Sequence, residues 1–317
     1  MSAKLYDALI IGGGPAGLSI ATALARQVYS ALIIDSGVYR NERASHMHLV
    51  PGFDHANPYD FRAKVRSDLH NRYPSIEYKK ATVKQVRKLD DGTFEAIEDN
   101  GAVYRGKKLG LATGVRDILE GEAEGYEECW GRGIFHCLFC HGYEERGQDS
   151  VGVIGTGLIS NSDIMLHAAP NAARLAKHVN IYTNDNASLL ASTKAGLHSS
   201  KFAFDDRKIT KYRLVDGGPA VEITFADGST KTEGWLVSHP NVEQRAPFAE
   251  QLGLELGPMS SITVQPPFNE TAVKGCFAAG DAATPMKNVV QALHMGSFGA
   301  AGMTSQLQHE LDEKDEL

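Results

Sequence analysis

The sequence predicts an α/β protein built from two Rossmann-like dinucleotide-binding units, and three stretches carry that reading. "YDALIIGGGPAGLSIATALAR" near the start and "SVGVIGTGLISNSDIMLHAA" in the middle each read as strand, glycine turn and helix. Near the end, "VKGCFAAGDAA" closes a strand on Gly280-Asp281. At 317 residues the chain is long for one core and comfortable for two domains.

In the first stretch Tyr6 to Ile11 is a short apolar strand and Leu18 to Arg26 a helix. Between them Gly12, Gly14 and Gly17 form GxGxxG, with Pro15 and Ala16 completing the turn. Gly12 permits the tight turn, Gly14 lets backbone approach a pyrophosphate, and Gly17 lets helix pack on strand. "ALIIDSG" is the second strand and ends in Asp35. An acidic residue about 20 positions on is the one that holds adenosine ribose hydroxyls. Further along, "GKKLGLATG" (106–114) is a strand ending in Ala112-Thr113-Gly114.

The ATG and GD pieces resemble the second and third fingerprints of two-dinucleotide-fold flavoproteins, in which the Asp of GD binds the ribityl chain of FAD. With all three motifs in order, nearly the whole chain is similar to the low-molecular-weight thioredoxin reductase family. The resemblance implies FAD as cofactor, held by Gly12, Gly14, Pro15, Ala16, Gly17, Asp35, Ala112, Thr113, Gly114, Gly280, Asp281 and Val289. It also implies an FAD-binding domain made from both chain ends, 1–116 and 243–317, with a module over 117–242 inserted after the ATG and carrying a CxxC.

Within the insert a second strand, turn and helix start at Ser150, and "HVNIYTND" is the next strand. "KYRLVDGG" with "VEITFADGST" reads as a β-hairpin. "GWLVSHP" closes the unit, and the chain returns to the first domain after Pro240. The glycine turn here is Gly155-Thr156-Gly157-Leu158-Ile159-Ser160, with Ser160 where a third small residue belongs. The following strand ends Tyr182-Thr183-Asn184-Asp185-Asn186, where thioredoxin reductases place Arg and His for the 2′-phosphate of NADPH. A phosphate dianion takes bidentate guanidinium partners, yet no arginine occurs between Arg174 and Arg207, and Asp185 would repel the phosphate. The residues therefore speak against NADPH. Asp185 suits the free ribose of NADH, which stays open as an alternative. The leading reading makes the module a scaffold for its cysteine pair.

That pair lies in "HCLFCHGYEERG", residues 136–147. Zinc takes four N or S ligands in spacings such as two CxxC units. Only one CxxC is present, and His141 directly follows Cys140, so no metal is expected. A CxxC can lower the pKa of one thiol, and only the thiolate attacks disulfide sulfur. The resemblance implies that Cys140 faces the flavin and that Cys137 meets substrate. Thioredoxin reductases follow the second cysteine with an acidic proton shuttle; here His141 stands there, with His136 before the pair. A histidine titrates near neutrality and can take the proton of an incoming thiol.

"HCLFCHGYE" and "YRNERASHMHLVPGFD" (39–54) resemble the thioredoxin-reductase-like, flavin-dependent dithiol oxidases of natural-product pathways. Those enzymes close the disulfide of epidithiodiketopiperazines such as gliotoxin and of holomycin-type dithiols. The implied activity is oxidation of a small-molecule dithiol to an intramolecular disulfide, with O₂ as acceptor, H₂O₂ as product and a homodimer as the working form. Secondary-metabolite biosynthesis or self-protection is the implied setting. His294 lies either at the flavin edge or in helix packing. A disulfide reductase fed by NAD(P)H or ferredoxin and acting on a thioredoxin-like protein is the rival enzyme, and a flavin redox sensor without turnover the non-enzymatic alternative.

Composition narrows the partners. A net charge of −7 argues against nucleic acid or an anionic membrane as main partner. Apolar runs such as "ALIIGGG" fall far short of the roughly 20 residues a bilayer span needs. Four cysteines are too few for a disulfide scaffold, and Cys129 and Cys276 read as small buried or partly buried residues. The first apolar run goes straight into a glycine turn, so no secretory signal is expected and the cytoplasm is the expected compartment. Lys314 to Leu317 spell KDEL, the ER-retention address, here read as coincidental.

Overall fold

The computed structural model describes residues 4–316, so Leu317 of the KDEL-like tail lies outside them. The chain forms two compact units. One contains the residues up to Arg116 and those from Val242 on; the other is Asp117–Asn241.

β1 (Leu5–Ile11) runs into the glycine turn, α1 (Pro15–Arg26) follows, and β2 (Ala31–Asp35) lies parallel to β1 with Ile11 opposite Ile34. Every residue of β2 is buried, as a strand covered on both faces requires. α1 begins at Pro15 rather than Leu18 because proline suits a first helical turn: its φ is preset and its missing N–H is not needed there. Leu18, Ala21 and Ala25 fall at i, i+3 and i+7 and are buried as one stripe. α2 (Pro58–Arg72) is capped by Asn57, whose side chain accepts from the Tyr59 amide at 2.8 Å. β3 (Ile76–Lys80) extends the parallel set beyond β2. β4 (Val83–Lys88), β5 (Phe94–Glu98) and β6 (Val103–Leu111) form an antiparallel meander, and β6 also lies parallel to β1. β6 ends at Leu111, short of Gly114, because the chain turns away there, with φ 68° at Gly114.

β7 (Val115–Asp117) carries the chain to the second unit. α3 (Tyr126–Cys129) is a single turn, and β8 (Ile134–Phe135) leads directly to the cysteine pair. β9 (Gln148–Gly157), α4 (Ser162–Leu175), β10 (Ala176–Tyr182), α5 (Ala187–Gly196) and β11 (Phe202–Asp205) form a β-α-β-α-β run with parallel strands. β12 (Ile209–Leu214), β13 (Val221–Phe225) and β14 (Thr230–Glu233) form an antiparallel sheet, one strand larger than a hairpin. β15 (Leu236–His239) inserts between β9 and β8, giving the order β11-β10-β9-β15-β8. Val151, Val153, Ile181 and Val237 pack with Ala168, Ala169 and Ala172 of α4 as one core of this unit.

The chain returns with β16 (Val242–Gln244), which pairs with β7. That pairing places Val242 in the first unit, one residue earlier than the sequence boundary at 243. α6 (Phe248–Gln251) follows, then β17 (Cys276–Ala278), parallel to β6 with Ala278 opposite Leu111. α7 (Val289–Asp312) packs on α1, where a Cβ on Gly296 would lie 2.4 Å from Ala16 O. Among the described residues no helix is long and apolar enough to cross a membrane.

The glycine turn supplies a stability test. A Cβ on Gly17 would lie 1.9 Å from Gly12 O, whereas the space around one on Gly14 is empty to 4 Å. Gly17→Ala is expected to cost about 1–3 kcal/mol by overpacking. Gly14→Ala is expected to stay within roughly 0.5 kcal/mol. Guanidinium unfolding of the two variants measures the difference, and equal losses would contradict the close approach.

Candidate active site

Backbone contact shapes the turn after β1. Gly12 has φ 110°, and a Cβ there would lie 2.3 Å from Ala112 O. One on Gly13 would lie 2.3 Å from Asp35 Oδ2, and one on Gly280 2.9 Å from Ala16 Cβ. The structure thus gathers the glycine turn, Asp35, Ala112 and Gly280 at the C-terminal ends of β1, β2, β6 and β17. Gly14 caps α1 without a side-chain hydrogen bond, and the first turn of the helix carries no acid. The helix N-terminus therefore points free amides and the positive end of its dipole at open space, which suits an anion. These residues fit the pyrophosphate of FAD, the cofactor that the sequence resemblance implies.

The neighbouring polar groups are already engaged with one another. Arg40 Nη1 meets Asp281 Oδ2 at 3.0 Å, and Lys287 Nζ donates to the Asp281 carbonyl at 2.7 Å. Arg40 escaped the sequence reading, except as one letter of the 39–54 stretch. Asp35 is 2% exposed; its carboxylate accepts from the Tyr39 hydroxyl, from Tyr78 OH at 2.7 Å and from the Gly37 amide at 3.1 Å. Burial, with the hydrogen bond to Asp35, pushes the Tyr39 hydroxyl up to about 12, so it stays a donor. A ribose hydroxyl would share this carboxylate with two tyrosines. Thr113 and Gly114 are half-buried beside the turn. Val289 opens α7 and packs against the cluster of Met47, Val50 and Phe61. His294 is exposed, its ring 4.4 Å from that of Phe298 on the same helix.

The second glycine turn has the opposite character. After Gly157 comes a 3₁₀ turn, Leu158–Ser160, in which Ser160 Oγ donates to Gly157 O at 2.7 Å. Asn161 then caps α4, its side chain accepting from the Asp163 amide at 2.8 Å. Asp163 adds a negative charge to the first turn of that helix. The N-terminus of α4 thus has one amide capped and an acid beside it, both unfavourable to a pyrophosphate. At the end of β10, Asp185 is exposed with φ 63°, and its amide donates to Asp206 O at 2.7 Å. Arg207 is committed elsewhere: Nη2 meets Asp205 Oδ2 at 2.6 Å, Nη1 meets Ser229 Oγ at 2.7 Å, and the guanidinium lies 3.8 Å over the Phe225 ring.

The cysteine pair sits in one turn of the second unit. The amides of Cys140 and His141 both donate to Cys137 O, at 3.1 and 3.0 Å, which brings the two sulfurs together. Cys137 and Cys140 form a disulfide with a Cα separation of 5.2 Å. The His141 ring lies flat on buried Phe135, centroids 5.2 Å apart at 7°. The His136 ring stacks on Trp130 at 5.7 Å and meets His239 edge-on at 6.0 Å. Cys137, Cys140, His136 and His141 are thus grouped, and His239 joins them from the end of β15. Its only sequence signal was a place at the end of a strand, in "SHP". The other thiols are inert: burial pushes Cys129 up to about 11 and Cys276 up to about 12, so neither forms a thiolate near neutral pH.

The sequence matches the pyridine nucleotide-disulphide oxidoreductase family over residues 6–296. The chain belongs to that family. This oxidoreductase is 42% identical to thioredoxin reductase aclD of Aspergillus oryzae, over 99% of each chain. It is 41% identical to thioredoxin reductase tcpT of Claviceps purpurea, covering 98% of this chain and 97% of the relative. An oxidoreductase from Agrobacterium tumefaciens superposes with a TM-score of 0.84 at 30% identity, over 96% of this chain and 99% of that one. HlmI superposes with a TM-score of 0.86 at 24% identity, over 98% and 95%, a likeness of fold.

The cradle of this oxidoreductase supplies a binding test. Asp281→Ala should weaken FAD retention by about 1.5–3 kcal/mol, the worth of a hydrogen bond to a charged group. Gly14→Val, filling the space before α1, should weaken it as well. Equilibrium dialysis against FAD reads both, and full occupancy in the two variants would remove the cradle from the cofactor site.

Proposed function

We propose that this oxidoreductase uses FAD, held by the unit made from the two chain ends, and the Cys137–Cys140 disulfide to oxidise a small-molecule dithiol. The product is an intramolecular disulfide, O₂ is the final acceptor, and H₂O₂ is released. One observation carries the reading: in the unit that presents the disulfide, the helix after the glycine turn is capped by Asn161 and carries Asp163 in its first turn. A donor pyrophosphate is disfavoured there, so the electrons enter from the thiol side.

The chain's own residues handle sulfur and protons. The first substrate thiol loses its proton, and its thiolate attacks Cys137 Sγ; the Cys137–Cys140 bond breaks and Cys140 leaves as thiolate. The second substrate thiol, deprotonated by His136 or His141, attacks the substrate sulfur now bonded to Cys137. The Cys137 thiolate leaves and the product ring closes. FAD, when bound, supplies the acceptor for the two electrons whose removal restores the protein disulfide, and O₂ takes them with two protons as H₂O₂. A histidine suits this direction because it alternates between base and acid near neutral pH. The rival reading, a disulfide reductase fed by NADH, is favoured by Asp185 at the end of β10 and by the names of the fungal relatives.

Two experiments separate these readings. Mixed anaerobically with a small dithiol, the enzyme should bleach its flavin and release the cyclic disulfide; air should restore the colour with H₂O₂ in proportion to product. NADPH should bleach it slowly or not at all, and NADH is run in parallel. Fast bleaching by either nucleotide, with no response to any dithiol, would establish the reductase instead. The cysteines should also differ. Offered the cyclic disulfide, Cys140→Ser should retain a mixed disulfide on Cys137 that intact-mass spectrometry detects, whereas Cys137→Ser should retain none. Equal trapping would overturn this assignment of the two roles.

A further inference from the structure

A column of rings in the second unit ends on His136. Tyr212 meets Tyr126 edge-on at 5.7 Å, Tyr126 stacks on Trp130 at 5.8 Å, Trp130 stacks on His136 at 5.7 Å, and His136 meets His239 at 6.0 Å. Its inner members are fixed. Tyr126 is 1% exposed, Tyr212 2% and Trp130 8%. Tyr126 OH meets Ser238 Oγ at 2.7 Å. Trp130 is also placed by its backbone, which bridges Ile134, the residue before Phe135 and His136.

β15 closes the column from the other side. Neighbouring residues of a regular strand point to opposite faces, yet Ser238 touches Tyr126 and His239 touches His136. In the pairing with β9, Val237 lies opposite Val153 but His239 opposite Gly157, so a shift in register puts extra residues of β9 beside this end of β15. Gly157 makes room for it, since a Cβ there would lie 2.3 Å from His239 O. The glycine turn of the second unit thus seats the backbone of His239.

We propose that Trp130 and His239 are positioning residues for His136, and that His136 is the group that takes the proton of the attacking substrate thiol; this rests on the dithiol-oxidising reading above. The thiol proton passes to an imidazole nitrogen of His136, the thiolate bonds to Cys137 Sγ, and the electron pair of the broken disulfide goes to Cys140 Sγ. The imidazolium so formed lies against an indole face, which attracts a cation. The stack on Trp130 and the edge contact with His239 hold the ring in one orientation before substrate arrives. The His141 ring lies flat on Phe135 instead.

The test is a double-mutant cycle on the anaerobic dithiol half-reaction, followed by flavin bleaching in the holoenzyme. His136→Ala should slow it by about 10²–10⁴-fold, the range for loss of a general base, and His141→Ala by far less. Trp130→Leu and His239→Ala should each slow it roughly tenfold, the scale of one lost cation–π contact or ring contact. In the His136→Ala background neither should have any further effect, because each acts through His136. Trp130→Phe should recover most of the rate. Each variant's thermal midpoint and FAD content are measured alongside, to separate a general loss of structure from a loss of proton transfer. Additive losses, no recovery by phenylalanine, or His141→Ala matching His136→Ala would overturn the assignment. A wild-type enzyme that no dithiol bleaches would overturn the oxidase reading and this inference with it. A bleached wild type with unaffected Trp130 and His239 variants would overturn this inference alone.

Discussion

The carbonyl of Gly12 stands 1.9 Å from where a Cβ of Gly17 would be, and that of Ala112 stands 2.3 Å from where a Cβ of Gly12 would be. β1, β6 and α1 therefore approach as they do only because those positions carry hydrogen. The rest of the first unit depends on that approach. It brings the N-terminus of α1 over the strand ends and leaves the space at Gly14 open. It lets α7 lie along α1 through Gly296, and the pairing of β17 with β6 then delivers Gly280 and Asp281 to the same edge. An anion at this edge meets uncapped amides and a favourable dipole.

The second unit uses the same strand, turn and helix to a different end. α4 has its N-terminus capped by Asn161 and carries Asp163 in its first turn, so the partial charge that α1 offers to a ligand is here satisfied within the chain. Its strands hold the disulfide turn. β8 is parallel to β15 and β15 to β9, and the short β8 ends at the residue before His136. Gly157 of this turn accommodates the His239 carbonyl of β15 beside the histidines.

Sulfur chemistry is confined by the same packing. Cys129 and Cys276 are shut in apolar surroundings that keep their thiols protonated, while Cys137 and Cys140 lie in a half-buried turn whose carbonyl collects two amides. Two histidines flank that turn in the chain and a third reaches it through space. In the proposed reaction, proton transfer falls to imidazoles rather than to a carboxylate, which would already be ionised near neutral pH.

What the sequence by itself determined was local. Glycine spacing after an apolar strand announced both turns, short apolar runs announced the strands beside them, and CxxC with adjacent histidines announced the redox turn, because each depends on residues within a few positions of one another. The absence of arginine near Asp185 was legible for the same reason. Tertiary structure alone decided which distant groups meet. The Arg40–Asp281 pair joins residues 241 positions apart, and Tyr78 reaches Asp35 across 43. His239 meets His136 through strand order and a shift in register between β15 and β9. Periodicity cannot announce such contacts, since they follow from how strands are stacked and offset rather than from what their neighbours in the chain are.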